Sequence, residues 1–167
     1  MAGMFIGEHT FKVDSKGRMS IPAPFRRELE EGDPNAAATG RPRMVIVYGA
    51  DTQKMLQVYT QSAFEKLAAD INALPRGTKR RVMLQRLILN KAQPTEVDPD
   101  GRLVIPAALR AKIGLENEAY FAGVGETFEI WKPETFRAED DLNTDKWAEE
   151  MGEDFDPLSL LAGDEGL

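Results

Sequence analysis

The 167-residue chain has no cysteine and a single histidine, His9. Without thiols there is no disulfide, no thiolate zinc site and no cysteine nucleophile, a pattern that suits a reducing compartment. One histidine cannot assemble a multi-histidine metal centre. No apolar run approaches the roughly 20 residues that a membrane-spanning helix needs. The opening residues MAGMFIGEHT carry neither the basic region nor the apolar stretch of a secretory signal. A glycine-rich phosphate loop at the required spacing is also missing, and no serine–histidine pair has supporting context. The chain therefore reads as soluble and cytosolic, not an enzyme, with no metal, cofactor, membrane or small-molecule substrate expected.

What is present is a chain 42% hydrophobic and 29% charged, enough apolar material for a packed interior of ordinary domain size. The formal charge of −7 is unevenly placed. From Ala138 to Leu167 there are 11 acids and one base, Lys146, whereas residues 1–137 hold 20 bases and 17 acids. The acidity belongs to the C-terminal segment, and the mildly basic body can bind a polyanion if its bases cluster. The segment 138–167 is expected to be a disordered, solubilising tail, with a helical turn around Trp147. The sharper alternative is a tail that competes with nucleic acid for the basic surface.

The body is an internal repeat. FKVDSKGRMSIPAPFR (11–26) aligns with TEVDPDGRLVIPAALR (95–110), and eight of sixteen positions are identical, among them Asp14/Asp98, Gly17/Gly101, Arg18/Arg102 and Arg26/Arg110. Each copy alternates apolar and polar residues, passes through turn chemistry and resumes the alternation. This predicts a local β-hairpin with its tip at residues 14–18 in the first copy. Asp14, Gly17, Asp98 and Gly101 supply the turn structure. A proline and a short helix follow, the second ending at Gly114. The pattern continues through the strands MVIVY (44–48) and LQVY (56–59), matched by AYFA (119–122) and FEIW (128–131). In the first copy, residues 33–43 form a longer Pro/Gly/Ala-rich loop, expected to be mobile. Between the copies, Ser62 and Glu65 form a capping box for one helix. Thr78 to Asn90 then predicts a second helix, apolar around more than half its girth and so buried between repeats or between subunits. The divisions are residues 8–61, 62–91, 92–135 and 138–167.

The turns carry the chemistry. A bland reading makes Asp14–Arg18 and Asp98–Arg102 surface ion pairs that close a turn. Yet the repetition preserves an exposed arginine that packing does not require. Lys16 joins Arg18 in the first turn, with Lys12, Arg26 and Arg27 expected nearby. Cations beside a glycine that permits close approach suit phosphate contact, and arginine suits bidentate reading of guanine. In the second turn Asp100 replaces Lys16 and would repel phosphate. Six bases without an acid (Arg76, Lys79, Arg80, Arg81, Arg86, Lys91) form either a backbone-contacting stripe that includes Arg80 and Arg86 or a set of subunit-bridging cations.

The duplicated VDSKGRMSIP and VDPDGRLVIP, the intervening KRRVMLQRLIL and the closing FEIW resemble the MraZ family, built from two AbrB-like (SpoVT-AbrB) repeats. The resemblance spans about residues 4–137. It implies an α+β fold in which two swapped-hairpin repeats form a pseudo-dimeric β-barrel with short peripheral helices. It also implies a ring-shaped homo-oligomer acting in the cytoplasm and on the nucleoid. Such a ring binds double-stranded promoter DNA at short G-rich direct repeats upstream of the division and cell-wall gene cluster, repressing that cluster and its own gene. Carried across, Arg18 leads base reading with Lys16 beside it, and Arg102 matches the second signature. An antitoxin-like or other oligomeric protein-interaction module is the alternative.

Overall fold

A computed structural model describes residues 4–140 and 144–162. The chain divides into two compact units, Met1–Pro133 and Glu134–Leu167. In the first unit the strands are β1 (Glu8–Lys12), β2 (Arg18–Met19), β3 (Arg43–Val47), β4 (Met55–Thr60), β5 (Ala92–Glu96), β6 (Leu103–Val104), β7 (Glu118–Gly123) and β8 (Thr127–Trp131). Its helices are α1 (Ala23–Glu31), α2 (Ala36–Thr39), α3 (Gln61–Asn72), α4 (Lys79–Leu87) and α5 (Ala107–Ile113).

Both expected turns form, but the strands leaving each turn do not pair with each other. A six-stranded antiparallel sheet runs β1-β7-β8-β4-β3-β5, and β2 pairs separately with β6. The local hairpin expected around residues 14–18 is thus replaced by an exchange between copies. The first strand of each copy adds to the sheet of the other, β1 to β7 and β5 to β3, with Glu8 opposite Ala122 and Ala92 opposite Val47. Alternation reveals which face of a strand is buried, not which neighbour supplies its hydrogen bonds. The register keeps the duplication's twofold character. Leu56 faces Ile130, Val58 faces Phe128, and Gln57 faces Glu129 at the centre. Likewise Met19 faces its own counterpart, Leu103, in the short sheet.

The core is assembled from positions that the two copies share. Val13 and Val97, Met19 and Leu103, Ile21 and Ile105, Phe25 and Leu109 are all buried. Phe5, Phe25 and Phe128 pack with ring centroids 4.9–5.3 Å apart. His9 sits on β1, edge-on to Phe25 at 5.5 Å.

Three local expectations change. The cap of α3 is Thr60, whose side chain accepts from the Ala63 N–H at 3.1 Å, while Ser62 lies inside the helix. The chain leaves β4 directly into α3, so the last strand residue is the one with extended geometry that a capping side chain requires. The loop 33–43 contains α2 and is clasped by Asp33. That carboxylate is buried and accepts from the Arg43 guanidinium at 2.8 and 3.1 Å, from the Arg43 N–H at 2.8 Å and from the Asn35 N–H at 3.0 Å. The segment 78–90 gives α4 followed by a 3₁₀ turn at Leu89–Lys91, and no residue of α4 is buried within the single chain, so of the two expected settings only burial between subunits stays open. The second unit contains α7 (Lys146–Met151), which includes Trp147, and a 3₁₀ helix at Pro157–Ala162; α6 (Pro133–Asp140) runs across the boundary.

The Asp33 clasp yields a stability prediction. The Arg43 guanidinium, aided by two backbone N–H groups, holds the Asp33 carboxyl down at about 2. A carboxyl depressed on folding contributes stability that is complete above the ordinary carboxylate range and is lost as pH falls toward 2. Asp33→Ala should cost roughly 2–3 kcal/mol at neutral pH, since it removes charge-assisted bonds and strands their donors. Urea unfolding at pH 7 and pH 3 checks this: the gap between parent and variant should be narrower at the lower pH.

Candidate nucleic-acid interface

Each signature turn is built by its aspartate. The Asp14 carboxylate accepts from the Lys16 and Arg18 N–H groups at 2.9 Å each and from Arg18 Nε at 2.6 Å. The Asp14 N–H reaches the Arg18 carbonyl at 3.0 Å, and the Gly17 N–H returns to the Asp14 carbonyl at 2.9 Å. Gly17 has φ +81°, a backbone state that glycine tolerates and other residues resist. Asp98, Gly101 and Arg102 repeat the arrangement, with matching backbone bonds of 2.9 Å and φ +80°. The backbone N–H of Arg18, with its guanidinium and the Lys16 N–H, lowers the Asp14 carboxyl to about 2. At Asp98 desolvation opposes ionisation, but the Arg102 N–H and guanidinium outweigh it and the pKa is lowered. Both aspartates therefore stay charged at any physiological pH, and both arginines are oriented by a fixed anion.

Here the copies diverge. Arg18 binds Asp14 through Nε, and no partner for its terminal nitrogens occurs among the described residues; Lys16 is exposed. Arg102 is held twice, by Asp98 at Nε and by Asp100 at Nη2, both at 3.1 Å. Its fork is occupied where that of Arg18 is open.

Strand exchange also redistributes a cation that sequence proximity misassigns. Arg26, expected beside the first turn, lies instead against Gly101 of the second and pairs with Glu30 at 3.0 Å. Its counterpart Arg110 comes to the first turn, against Gly17, where its Nε donates to the Ile105 carbonyl at 3.0 Å. The identity of Arg26 and Arg110 in the repeat was the available signal, but the exchange was needed to show which turn each one serves. Lys12 lies on β1 opposite Glu118, and Arg27 is exposed on α1. The first turn thus gathers Lys16, Arg18 and Arg110 around one acid. The second sets Arg102 and Arg26 against Asp98, Asp100 and Glu30.

The same close approach distinguishes the two glycines. A Cβ on Gly17 would run into the Ile105 carbonyl, which is backbone, whereas on Gly101 it would meet only the mobile end of Arg26. Gly17→Ala should cost roughly 2–4 kcal/mol, combining left-handed strain with overpacking. Gly101→Ala should cost about 1–2 kcal/mol from strain alone. Paired thermal melts check the ranking.

Arg80 and Arg86 are exposed on α4, beside the exposed Met83, Leu84 and Leu87 and away from either turn in sequence. Among the described residues no cluster of three or more His, Cys, Asp or Glu is arranged to hold a metal. No described helix is long and apolar enough to cross a membrane.

These features define a class: a duplicated, strand-exchanged α+β protein that presents two signature turns, one with its cations open and one neutralised. A family model described as "MraZ protein, putative antitoxin-like" matches residues 4–87 and 88–149. The chain belongs to the MraZ family. It is 52% identical over 163 residues to the transcriptional regulator MraZ of Ruegeria pomeroyi, covering 98% of both chains. It is 35% identical over 153 residues to the protein of the same name from Roseiflexus, covering 90% of this chain and 98% of that one.

Proposed function

We propose that this protein is a sequence-specific, DNA-binding transcriptional regulator that represses its own operon in the division and cell-wall gene cluster. It works without catalysis, in the cytoplasm and on the nucleoid. The observation that carries the reading is the open guanidinium fork of Arg18, oriented by Asp14 and flanked by exposed Lys16. A fork whose Nε is fixed by an anion presents its two terminal nitrogens in one plane, the geometry that guanine O6 and N7 accept. Lys16 supplies phosphate contact, and Arg110 adds charge at the base of the turn. Arg102, doubly held, has at most a supporting role.

The exchanged strands close in this reading into a swapped-hairpin barrel, and several copies form a ring. One turn reaches few base pairs, with discrimination of about 1–3 kcal/mol per bidentate contact. Several turns must act together, and a ring provides this through effective concentration. A palindrome is the natural site for a twofold pair of equal turns. With one active turn per chain, the matching operator is instead a series of short G-rich direct repeats. Successive turns then fall about 34 Å apart, one helical repeat. Straight duplex cannot follow a closed ring, so either the DNA bends or the ring opens.

A footprint of the purified protein on the DNA upstream of its own gene tests the proposal. Protection should appear as regularly spaced blocks centred on guanines in direct orientation. Uniform protection, or none at moderate salt, contradicts it; the latter result would favour the antitoxin-like reading.

A further inference from the structure

The described part of the first unit exposes six large apolar side chains: Met4, Ile6, Met83, Leu84, Leu87 and Val124. They fall into two patches. Met83, Leu84 and Leu87 form a ridge on α4, flanked by Lys79, Arg80 and Arg86, and no acid occurs from Lys79 to Lys91. Met4, Ile6 and Val124 lie where Phe5 bridges Gly125, with Phe5 fully buried between its two outward-facing neighbours. Beside this second patch is an open groove of about 620 Å³ lined in part by Met4, Tyr59 and Leu67. On its walls Lys66 and Asp70 pair with each other at 3.3 Å, and among the described residues the carboxylates Glu31 and Glu126 are left without a cation there. One patch is apolar and cationic; the other is apolar and mainly anionic.

We infer that these are the two halves of one subunit joint: the α4 ridge of one copy seats on the Met4–Ile6–Val124 patch and the adjoining groove of the next. Charge selects this pairing over its rivals. Ridge on ridge would oppose Lys79, Arg80 and Arg86 to themselves, and groove on groove would oppose Glu31 and Glu126. Ridge on groove buries apolar surface on both sides and pairs opposite charges at the rim. Because the two patches differ, the joint is heterologous and each copy has one of each left to offer, which is how a closed ring propagates. The inference rests on the assembly reading above and deepens it. It assigns Arg80 and Arg86 to the joint rather than to DNA, and it leaves Lys16 and Arg18 outside it.

Two half-blind variants of the full chain test it: Leu84→Glu/Leu87→Glu, which removes the ridge, and Ile6→Glu/Val124→Glu, which removes the apolar patch that receives it. All four side chains are exposed, so circular dichroism should match the parent. By light scattering each variant alone should be monomeric, and a 1:1 mixture should give a dimer and nothing larger, because only one productive joint remains. If either variant alone dimerises, or assembles like the parent, the joint is wrong although the oligomer stands. If the parent itself is monomeric, the assembly reading fails and the inference with it. Should an apolar variant unfold, Arg80→Glu/Arg86→Glu and Glu31→Arg/Glu126→Arg replace the pair. Each alone should be monomeric, and their 1:1 mixture should regain an assembly like the parent's, because both cross-joints are again complementary; assembly of either alone, or none in the mixture, overturns the joint.

Discussion

Replacing Arg18 by alanine should weaken binding to a duplex carrying tandem G-rich elements by at least about 100-fold at moderate salt. One bidentate guanine contact carries roughly 1–3 kcal/mol, and the loss recurs at every turn engaged. Folding should be nearly unaffected. The Arg18–Asp14 pair is more than one-third exposed on both sides, and such pairs contribute about 0–1 kcal/mol. Asp14 also keeps its two backbone donors, so the turn survives. Arg18→Lys separates charge from geometry. It preserves phosphate attraction but lacks the planar fork, so affinity for random duplex should hold while preference for the G-rich sequence falls. Arg102→Ala should change either affinity by less than about threefold, because its fork is already spent on Asp98 and Asp100. Fluorescence anisotropy with specific and random duplexes measures all three variants.

The second large effect is on folding. Leu103→Ala should destabilise the chain by about 2–5 kcal/mol, the range for truncating a fully buried leucine. In a chain of this size that lowers the melting midpoint by roughly 5–15 °C. Leu103 is fully buried and faces Met19 across the pair that joins the two copies. Its loss opens a cavity at the pseudo-twofold axis, where neither copy can collapse inward without moving the other. Since β1 and β5 also complete each other's sheets, unfolding should remain a single cooperative transition. Two separated transitions would mean that the copies fold independently.

The duplication made much of this legible in advance. Apolar positions common to both copies, such as Val13/Val97 and Ile21/Ile105, became the core, and the two turns formed where Asp and Gly placed them. What the residue pattern did not carry was long-range partnership, which only the family resemblance implied. Nothing in the alternation of residues 8–13 states that β1 hydrogen-bonds to β7 rather than to the strand just past its own turn. For that reason sequence proximity sets Arg26 beside the wrong turn and gives no turn to Arg110. The Asp33–Arg43 clasp spans a stretch whose composition reads as mobile, because a single ion pair with one buried carboxylate leaves no periodic trace. Ser62 matched a capping pattern by spacing alone, while Thr60 had the extended backbone that capping needs. The breadth of apolar residues on 78–90 was visible as well, but not the fact that within one chain Met83, Leu84 and Leu87 remain exposed.

Two turns with the same signature are unequal, and the largest single difference between them is Lys16 against Asp100. Exchanging that chemistry tests this inequality most directly: Lys16→Asp and Asp100→Lys, each titrated with the tandem G-rich duplex across a range of salt. Lys16→Asp should lose binding nearly as fully as Arg18→Ala and flatten the salt dependence by about one unit of slope per engaged turn. Asp100→Lys should bind as well as the parent or better, because it frees one side of the Arg102 fork. If Lys16→Asp binds like the parent while changes in the second turn abolish binding, the assignment of the DNA-reading turn is wrong.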